Sequence, residues 1–567
     1  MVEKKWNLRK CNFPSLKISR LKKATKFSKN FLTILLQKGL DSNDKIKNFL
    51  DCDIKKLHDP LLLPDMNKCI KRIKIARDKN EKIIIYGDYD ADGTIAASVL
   101  TRALFRIGFN KKNILVLTPH RKYGYGLNNY VVDTAKRLNY SLIITCDCGS
   151  SDDKQISLAN DNKIDVIVLD HHNTITAKPL ALVNAQRKDS KYPFKELCGA
   201  GVVFKVIQAL ELSGENLNAL SCLDYIAIAT VADVSPLIDE NRIIVKYGMQ
   251  KLSKTKQIPL LTMMNKLNIF GRKITSEVIG FMIGPRLNAP GRMSSANITI
   301  KFLLCNNEIE CERLYRKLNN YNEKRKLIER EIKENVISLL NSKLNDKILV
   351  ISSDKWNKGV IGIVASVITQ FYTRPTILIA IDSDGIGYGS IRNIEGFPLL
   401  ESLQKCNDLL ERFGGHAMAA GIKIKKENIE AFSLKINEIA DKIMPIDSLI
   451  PSTKANLELK EKEITFEFLN ELMLLEPYGS ENEEPSFIIR DVKVVEKKVK
   501  DRHLILKISQ LNKTLSAPAF WLNEYSQIMK DDNQQFDVLF SLSENLYKNG
   551  KYLQLMVEDI QEVKLNW

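Results

Sequence analysis

From about residue 80, short runs of β-branched residues alternate with longer stretches of helical periodicity. KIIIYGD (82–88), NILVLTP (113–119), SLIITCD (141–147) and DVIVLDHH (165–172) are apolar without polar alternation, so they predict strands buried on both faces. Segments between them, such as TIAASVLTRALFRIG (94–108), keep the helical period. This alternation predicts a parallel, doubly wound α/β sheet.

The flanking patterns differ. Residues 1–78 are Lys-rich and mostly helical in period, broken by the loop-like HDPLLLPDMN (58–67), and the catalytic-looking segment then spans 79–306. Residues 307–345 hold no Pro or Gly and many charges, predicting one long helix that joins two lobes. KILVISSD, PTILIAID and GIGYGSIRN predict a smaller α/β domain over 346–447. From 448 to 567 strands dominate, and Asn549-Gly550 between alternating runs predicts a type I′ hairpin within an OB-like β-barrel.

Composition changes this picture only in part. At 567 residues the chain is too long for one core. A net charge of +17 favours a polyanionic partner. An AT-biased coding sequence raises Lys, Ile and Asn equally well, so charge supports nucleic acid without establishing it. The ten cysteines form no repeated C-x-x-C framework, which predicts reduced thiols rather than disulfides or a zinc ribbon. No run resembles a signal peptide or approaches the roughly 20 apolar residues that span a bilayer, predicting a soluble, cytoplasmic protein without membrane contact.

Candidate chemistry sits where the strands end. The first ends in Gly87-Asp88-Tyr89-Asp90-Ala91-Asp92-Gly93, the second in Cys146-Asp147-Cys148-Gly149, and the third in Asp170-His171-His172-Asn173. A fourth strand-like segment, YIAIATVADVSPL, carries Asp233. Carboxyl ends of parallel strands share one crevice, so these groups should converge. Converging carboxylates repel unless cations lie between them. Oxygen donors with one or two imidazoles favour Mn²⁺ or Mg²⁺ over zinc. Two such ions suit metal-assisted hydrolysis of a phosphodiester. Taken singly, each motif has a plainer explanation. DYDADG could be a solvated turn or half a calcium loop lacking its distal Glu, Asp147 a helix cap, and the His pair structural. All four in this order are much harder to obtain by chance.

GDYDADG, the Asp147 strand end, DHH and the ADV segment resemble the four sequential motifs of the DHH phosphoesterases. RKYGYGL (121–127), GPRLNAPGRM (284–293), GYGSIRN (387–393), RFGGHAMAAG (412–421) and EPYGSENEEP (476–485) resemble the RecJ subfamily, with GGHAMAAG the mark of its DHHA1 domain. The resemblance implies a single-strand-specific 5′→3′ DNA exonuclease of recombination and repair that releases 5′-mononucleotides. It implies one metal held by Asp92, Asp147, His171 and Asp233, and a second by Asp90, Asp147 and Asp88, with Asp147 bridging. His172 would stand at the scissile phosphate or just outside the metals, and Asp170 would orient its neighbours. Arg121, Ser390 and Arg392 would take the terminal 5′-phosphate, with His416 near the scissile one. It also implies a single-strand-binding protein and a helicase as partners of a monomer.

Phosphate recognition needs forked donors and open amides. Arg286, Asn288 and Arg292 offer donors in what the Gly/Pro content predicts to be a loop, and Gly414-Gly415-His416 adds amides and an imidazole. A lone Arg is more often a surface ion pair. In the barrel, Lys497, Lys498, Lys500 and His503, with Tyr547, Lys548, Lys551 and Tyr552, suit either a single-strand groove or ordinary edge protection. Cys148 stands where the family pattern has Asn, and Glu481 and Glu483 replace its Gly and Pro. Cys146 and Cys148 should both face away from Asp147 as small buried residues; a Cys148 close to the metals would make the enzyme oxidation-sensitive. Two rival functions remain. One is a DHH phosphodiesterase for short RNAs or cyclic dinucleotides; the other is a non-catalytic DHH scaffold in a replication complex, which would lose metal ligands.

Overall fold

The computed structural model describes residues 4–563 apart from 12, 120–123, 125, 341–342, 512, 530–533 and 548–549. The chain divides into two units, Ile54–Leu449 and the pair of segments Met1–Asp53 with Ile450–Trp567.

In the Ile54–Leu449 unit, five parallel strands form the first sheet: β1 (Ile83–Gly87), β2 (Ile114–Leu117), β3 (Leu142–Cys146), β4 (Asp165–Leu169) and β5 (Ala181–Val183). Their order is β2-β1-β3-β4-β5. Successive side chains alternate between faces, and both faces are covered. Ile83, Ile85 and Ile144 enter one core, while Ile84, Tyr86 and Ile143 enter the opposite one. The strand order reverses beside β1, so the loops leaving β1 and β3 diverge and open a crevice at their carboxyl ends.

Helix α1 (Ala91–Arg106) follows β1, and α2 (Gly199–Leu212) and α3 (Leu223–Ala232) pack into the same core. The fourth predicted strand is therefore a helix, with Asp233 at its C-terminal cap. Its eight buried residues, Leu223–Thr230, are mostly apolar, and a fully buried run has no period to separate helix from strand. GPRLNAPGRM is likewise no loop but helix α4 (Gly284–Met293). Pro285 lies in its first turn, where the missing N–H costs nothing, and Pro290 is tolerated further in.

The long helix α5 (Glu308–Leu340) spans two cores, as its pattern predicts. Cys311, Leu314 and Leu318 join the parallel-sheet core, whereas Ile332, Val336 and Leu340 join that of the smaller domain. That domain holds β6 (Leu349–Ser353), helix α6 (Ile361–Tyr372), β7 (Thr376–Ile381), β8 (Ile386–Arg392), β9 (Arg412–His416) and β10 (Ala419–Lys425). Its sheet order is β9-β10-β8-β7-β6.

The other unit is a barrel of β11 (Phe487–Lys500), β12 (His503–Ser509), β13 (Thr514–Ala519), β14 (Gln535–Tyr547) and β15 (Gly550–Glu562), closed by pairing of β11 with β14. The sequence groups 1–78 as one segment, but residues up to Asp53 belong with this barrel. Phe31, Leu32 and Leu35 from the helix Lys29–Gln37 fill the barrel core, and a strand Lys5–Leu8 pairs with Ser452–Ala455. Strands β14 and β15 meet at Tyr547 and Gly550, while Lys548 and Asn549 lie outside the described residues, as does the Tyr547 side chain. Glu481 has φ 57°, a backbone region in which glycine is favoured, and Glu483 pairs with Arg9. Among the basic groups, Lys497 donates to the Met529 carbonyl at 2.7 Å and Lys551 pairs with Glu544 at 3.0 Å, while Lys498, Lys500 and Tyr552 are exposed. The His503 ring meets Trp521 edge-on at 4.9 Å.

Candidate active site

Steric need accounts for the glycines of GDYDADG. A Cβ on Gly93 would overlap the Asp88 backbone, and one on Gly87 would overlap the Gly93 carbonyl. The turn therefore closes tightly and points three carboxylates at the crevice end of β1. Asp90 caps α1, its Oδ1 accepting the Gly93 N–H at 3.0 Å. Asp92, in the first helical turn, accepts the Gly199 and Ala200 N–H groups at 2.6 and 2.8 Å. The positive end of α2 thus also faces the site. Sequence reasoning missed both donors; a glycine-rich helix start, CGAG, is the signal that could have found them.

Strand β3 ends at Cys146, and Asp147 takes φ 64°, a left-handed conformation that reverses the expected alternation. Cys146 consequently packs in one core and Cys148 in the opposite one, both fully buried. Burial and nearby carboxylates push the Cys148 thiol well up, which opposes thiolate chemistry. Its Sγ is thus poorly placed for the oxidation that the sequence raised. A Cβ on Gly199 would sit 2.5 Å from that of Asp147, so α2 presses directly against this turn.

Asp170 accepts hydrogen bonds from the backbone of Ser150 at 3.0 Å and His171 at 2.8 Å, and from His172 Nδ1 at 2.7 Å. Burial would raise its carboxyl, but these bonds and the two imidazoles outweigh that and hold it far below the usual range. Burial lowers His172 in turn, yet Asp170 overcomes it and lifts the ring to about 9. His171 Nε2 lies 3.1 Å from Asp147 Oδ1. Ser235 donates to Asp233 Oδ2 at 2.6 Å.

These groups form overlapping clusters whose ligand atoms lie within 4.8 Å of one another: Asp92, His171 and Asp233; Asp88, Asp90 and Asp147; and Asp147 with Asp170, His171 and His172. Burial and mutual repulsion push Asp88, Asp92 and Asp147 well up. Buried Asp88 Oδ1 has no hydrogen-bond partner among the described residues. Buried, unsatisfied, mutually repelling carboxylates with one imidazole fit divalent cations of the Mn²⁺ or Mg²⁺ type.

A second feature lies in the smaller domain. Arg392 is half-buried, and its guanidinium donates to Ser366 Oγ at 3.0 Å, Ser390 Oγ at 3.2 Å and the Ile391 carbonyl at 2.8 Å. Burial pulls its pKa down with no carboxylate to offset the effect. A Cβ on Gly362, in the first turn of α6, would stand 2.8 Å from Ser390 Oγ and 3.1 Å from Arg392 Nη2. A half-buried cation with no carboxylate partner among the described residues, at a helix start kept open by glycine, suits an oxyanion. Gly362 and Ser366 carry no signal in the sequence. On the same sheet, Gly415 leaves no room for a Cβ against the Ala419 carbonyl, and His416 is exposed beside it.

The remaining candidates take other places. Arg286 tethers α4 to α5 by donating to Asn319 at 3.0 Å and to the Met282 carbonyl at 2.7 Å. Asn288 Oδ1 accepts the Ala91 N–H at 2.6 Å, between Asp90 and Asp92. Arg292 is half-buried at the end of α4, and Arg121 lies outside the described residues. Helix α4 is also pinned on two sides. A Cβ on Gly291 would overlap the Tyr89 carbonyl, and one on Gly359 would overlap the Arg292 carbonyl. We expect Asn288→Ala to lower turnover about tenfold by freeing the Ala91 amide, a loss of roughly 1–1.5 kcal/mol; an unchanged rate in steady-state assays would contradict this positioning.

Family models match residues 82–230 as the DHH family N-terminal domain, 345–442 as a DHHA1 domain and 455–559 as the RecJ OB domain. The single-stranded-DNA-specific exonuclease RecJ of Bacillus subtilis is 33% identical over 535 residues, covering 93% of this chain and 67% of the relative. RecJ of Haemophilus influenzae is 30% identical over 542 residues, covering 91% and 93%. The chain belongs to the RecJ family. The crystal structure of Thermus thermophilus RecJ in complex with Mn²⁺ matches it with a TM-score of 0.83 at 25% identity, covering 99% of this chain and 80% of that one. The matched DHH, DHHA1 and OB domains follow one another in that order along the chain. Among the described residues no helix is long and apolar enough to cross a membrane.

Proposed function

We propose that this chain is a metal-dependent exonuclease that digests single-stranded DNA from the 5′ end and releases 5′-mononucleotides in recombination and repair. The observation that carries this is the pairing of a cation-demanding carboxylate cluster with the half-buried Arg392, which has no carboxylate partner among the described residues, in one structural unit. Asp92, His171, Asp233 and Asp147 would hold one divalent ion, and Asp88, Asp90 and Asp147 a second. Such ions would neutralise charge at the phosphate and lower the pKa of water enough for hydroxide to serve as the nucleophile near neutral pH. Asp170 fixes the His172 ring through Nδ1 at the edge of the cluster, where it would face a phosphate oxygen. Arg392 and Ser390 would grip the 5′-terminal phosphate, and His416 would contact the chain near the scissile bond. The α2 amides hold Asp92 in place without net charge of their own.

The same reading extends to a monomer acting in the cytoplasm. A helicase and a single-strand-binding protein would supply its strands. Digestion of end-labelled single strands tests the proposal, with and without a 5′-phosphate, under Mn²⁺ or Mg²⁺. We expect mononucleotides from the 5′ end only. Faster hydrolysis of linear or cyclic dinucleotides would replace this function with that of a short-substrate phosphodiesterase. Absence of any hydrolysis would favour a scaffold.

A further inference from the structure

The face of the smaller domain's sheet that carries Arg392 and Ser390 has a further feature at its other end. Residues 388, 390 and 392 of β8 alternate onto one face, and Tyr388 heads the row. Their neighbours on β10 are Lys423, Gly421 and Ala419. On the opposite face the glycines are crowded, since a Cβ on Gly387 or Gly389 would overlap Ile379 or Ile422. On this face they are open. A Cβ on Gly421 would meet only the Gly389 carbonyl at 3.8 Å, and one on Gly414 would meet nothing within 4 Å. A shallow trough thus crosses the sheet beside the oxyanion cradle.

Tyr388 is half-buried, and Lys358 Nζ stands 4.3 Å from its ring centroid. Lys358 is exposed and has no carboxylate at ion-pair distance among the described residues. Its loop is fixed, because Gly359 abuts the Arg292 carbonyl at the end of α4. Two residues of strand place Tyr388 about 6.6 Å from Ser390 along β8, comparable to the reach from a nucleotide's 5′-phosphate to its base. A tyrosine on a sheet surface ordinarily serves only cross-strand packing. Here one face of the ring is backed by a cation, and the neighbours on the same strand form an oxyanion cradle.

We infer that Tyr388, backed by Lys358, is the stacking platform for the base of the 5′-terminal nucleotide. This rests on the exonuclease function proposed above. A π-face accepts any base, so the platform detects the presence of a base rather than its identity. It makes the terminal residue a two-point substrate, gripped by its phosphate and by its ring. Lys358 stiffens the tyrosine by cation–π contact and adds positive charge near the strand.

The test compares 5′-phosphorylated oligonucleotides ending in thymidine with ones ending in an abasic residue, using the full-length protein. Wild type should release the first unit about tenfold less efficiently from the abasic end, and an abasic residue at the sixth position should have no such effect. Tyr388→Phe should keep the discrimination. Tyr388→Ala should abolish it, bringing both substrates to the abasic rate, and Lys358→Ala should weaken it. A parallel arm measures binding of 5′-phosphorylated thymidine dinucleotide and its abasic counterpart in EDTA, where no turnover occurs. The same tenfold preference and the same loss in Tyr388→Ala are expected there. Equal treatment of the two ligands by wild type, or equal damage to both by Tyr388→Ala, overturns the inference. Failure to cleave any strand alongside an intact binding preference would instead overturn the exonuclease function alone.

Discussion

Asp147→Ala should abolish hydrolysis, by at least about 10³-fold, while leaving single-stranded DNA binding nearly unchanged. Asp147 belongs to two of the three ligand clusters and touches His171 of the third, so the proposed bridging role predicts that its removal weakens both candidate cation sites at once. Asp170, the other carboxylate of the cluster that holds both imidazoles, is already engaged by Ser150, His171 and His172 and is poorly placed to replace it. Stability should move in the opposite sense. Without metal, the cluster buries mutually repelling acids, and deleting one relieves that repulsion. The variant should therefore melt no lower than wild type in EDTA. Wild type should gain about 2.7 kcal/mol when Mn²⁺ is present at a hundredfold excess over its dissociation constant. The variant should gain far less. Thermal denaturation with and without Mn²⁺, beside a single-turnover assay, reads both effects. Retained turnover, or an undiminished Mn²⁺ shift, would remove Asp147 from its bridging position.

The second large effect is expected at Arg392. Replacing it with Leu removes forked donors from a desolvated anion site, a loss of about 2–5 kcal/mol. First-turnover efficiency on 5′-phosphorylated strands should fall roughly 10²-fold. Strands with a 5′-hydroxyl should be cut at the same rate by variant and wild type, because the contact they lack is the one deleted. Arg392→Lys should recover only part of the loss, since an ammonium cannot bridge Ser366, Ser390 and a phosphate with one planar group. The melting temperature should hold or rise, as a partly desolvated cation with no carboxylate partner among the described residues costs stability. An equal loss on both kinds of end would show that Arg392 supports the fold rather than reads the phosphate.

Three strand-end motifs were legible because strands buried on both faces leave continuous apolar runs that stop at their polar ends. The carboxylates and His171 are brought together as that topology requires. The Asp233 segment reached the same place by a different route, as a helix end. A run that is apolar all round has neither period. The α4 segment read as a loop because its Gly and Pro look like punctuation; Gly291 instead serves a close approach to Tyr89. The association of residues up to Asp53 with the barrel was hidden for another reason. Phe31 and Leu35 advertise an apolar helix face, but such a face does not name its partner. Gly362, Ser366 and the α2 amides were missed since backbone donors and small residues leave almost no trace in composition.

Helix α4 touches the carboxylate turn at Tyr89 and the Gly359 loop at Arg292, and neither glycine contact has room for a methyl group. It behaves as a gauge block clamped between two jaws. The groups that would hold the end of a strand and those that would break it cannot drift apart without unseating that block. Two residues without side chains are what let it seat so closely on both sides.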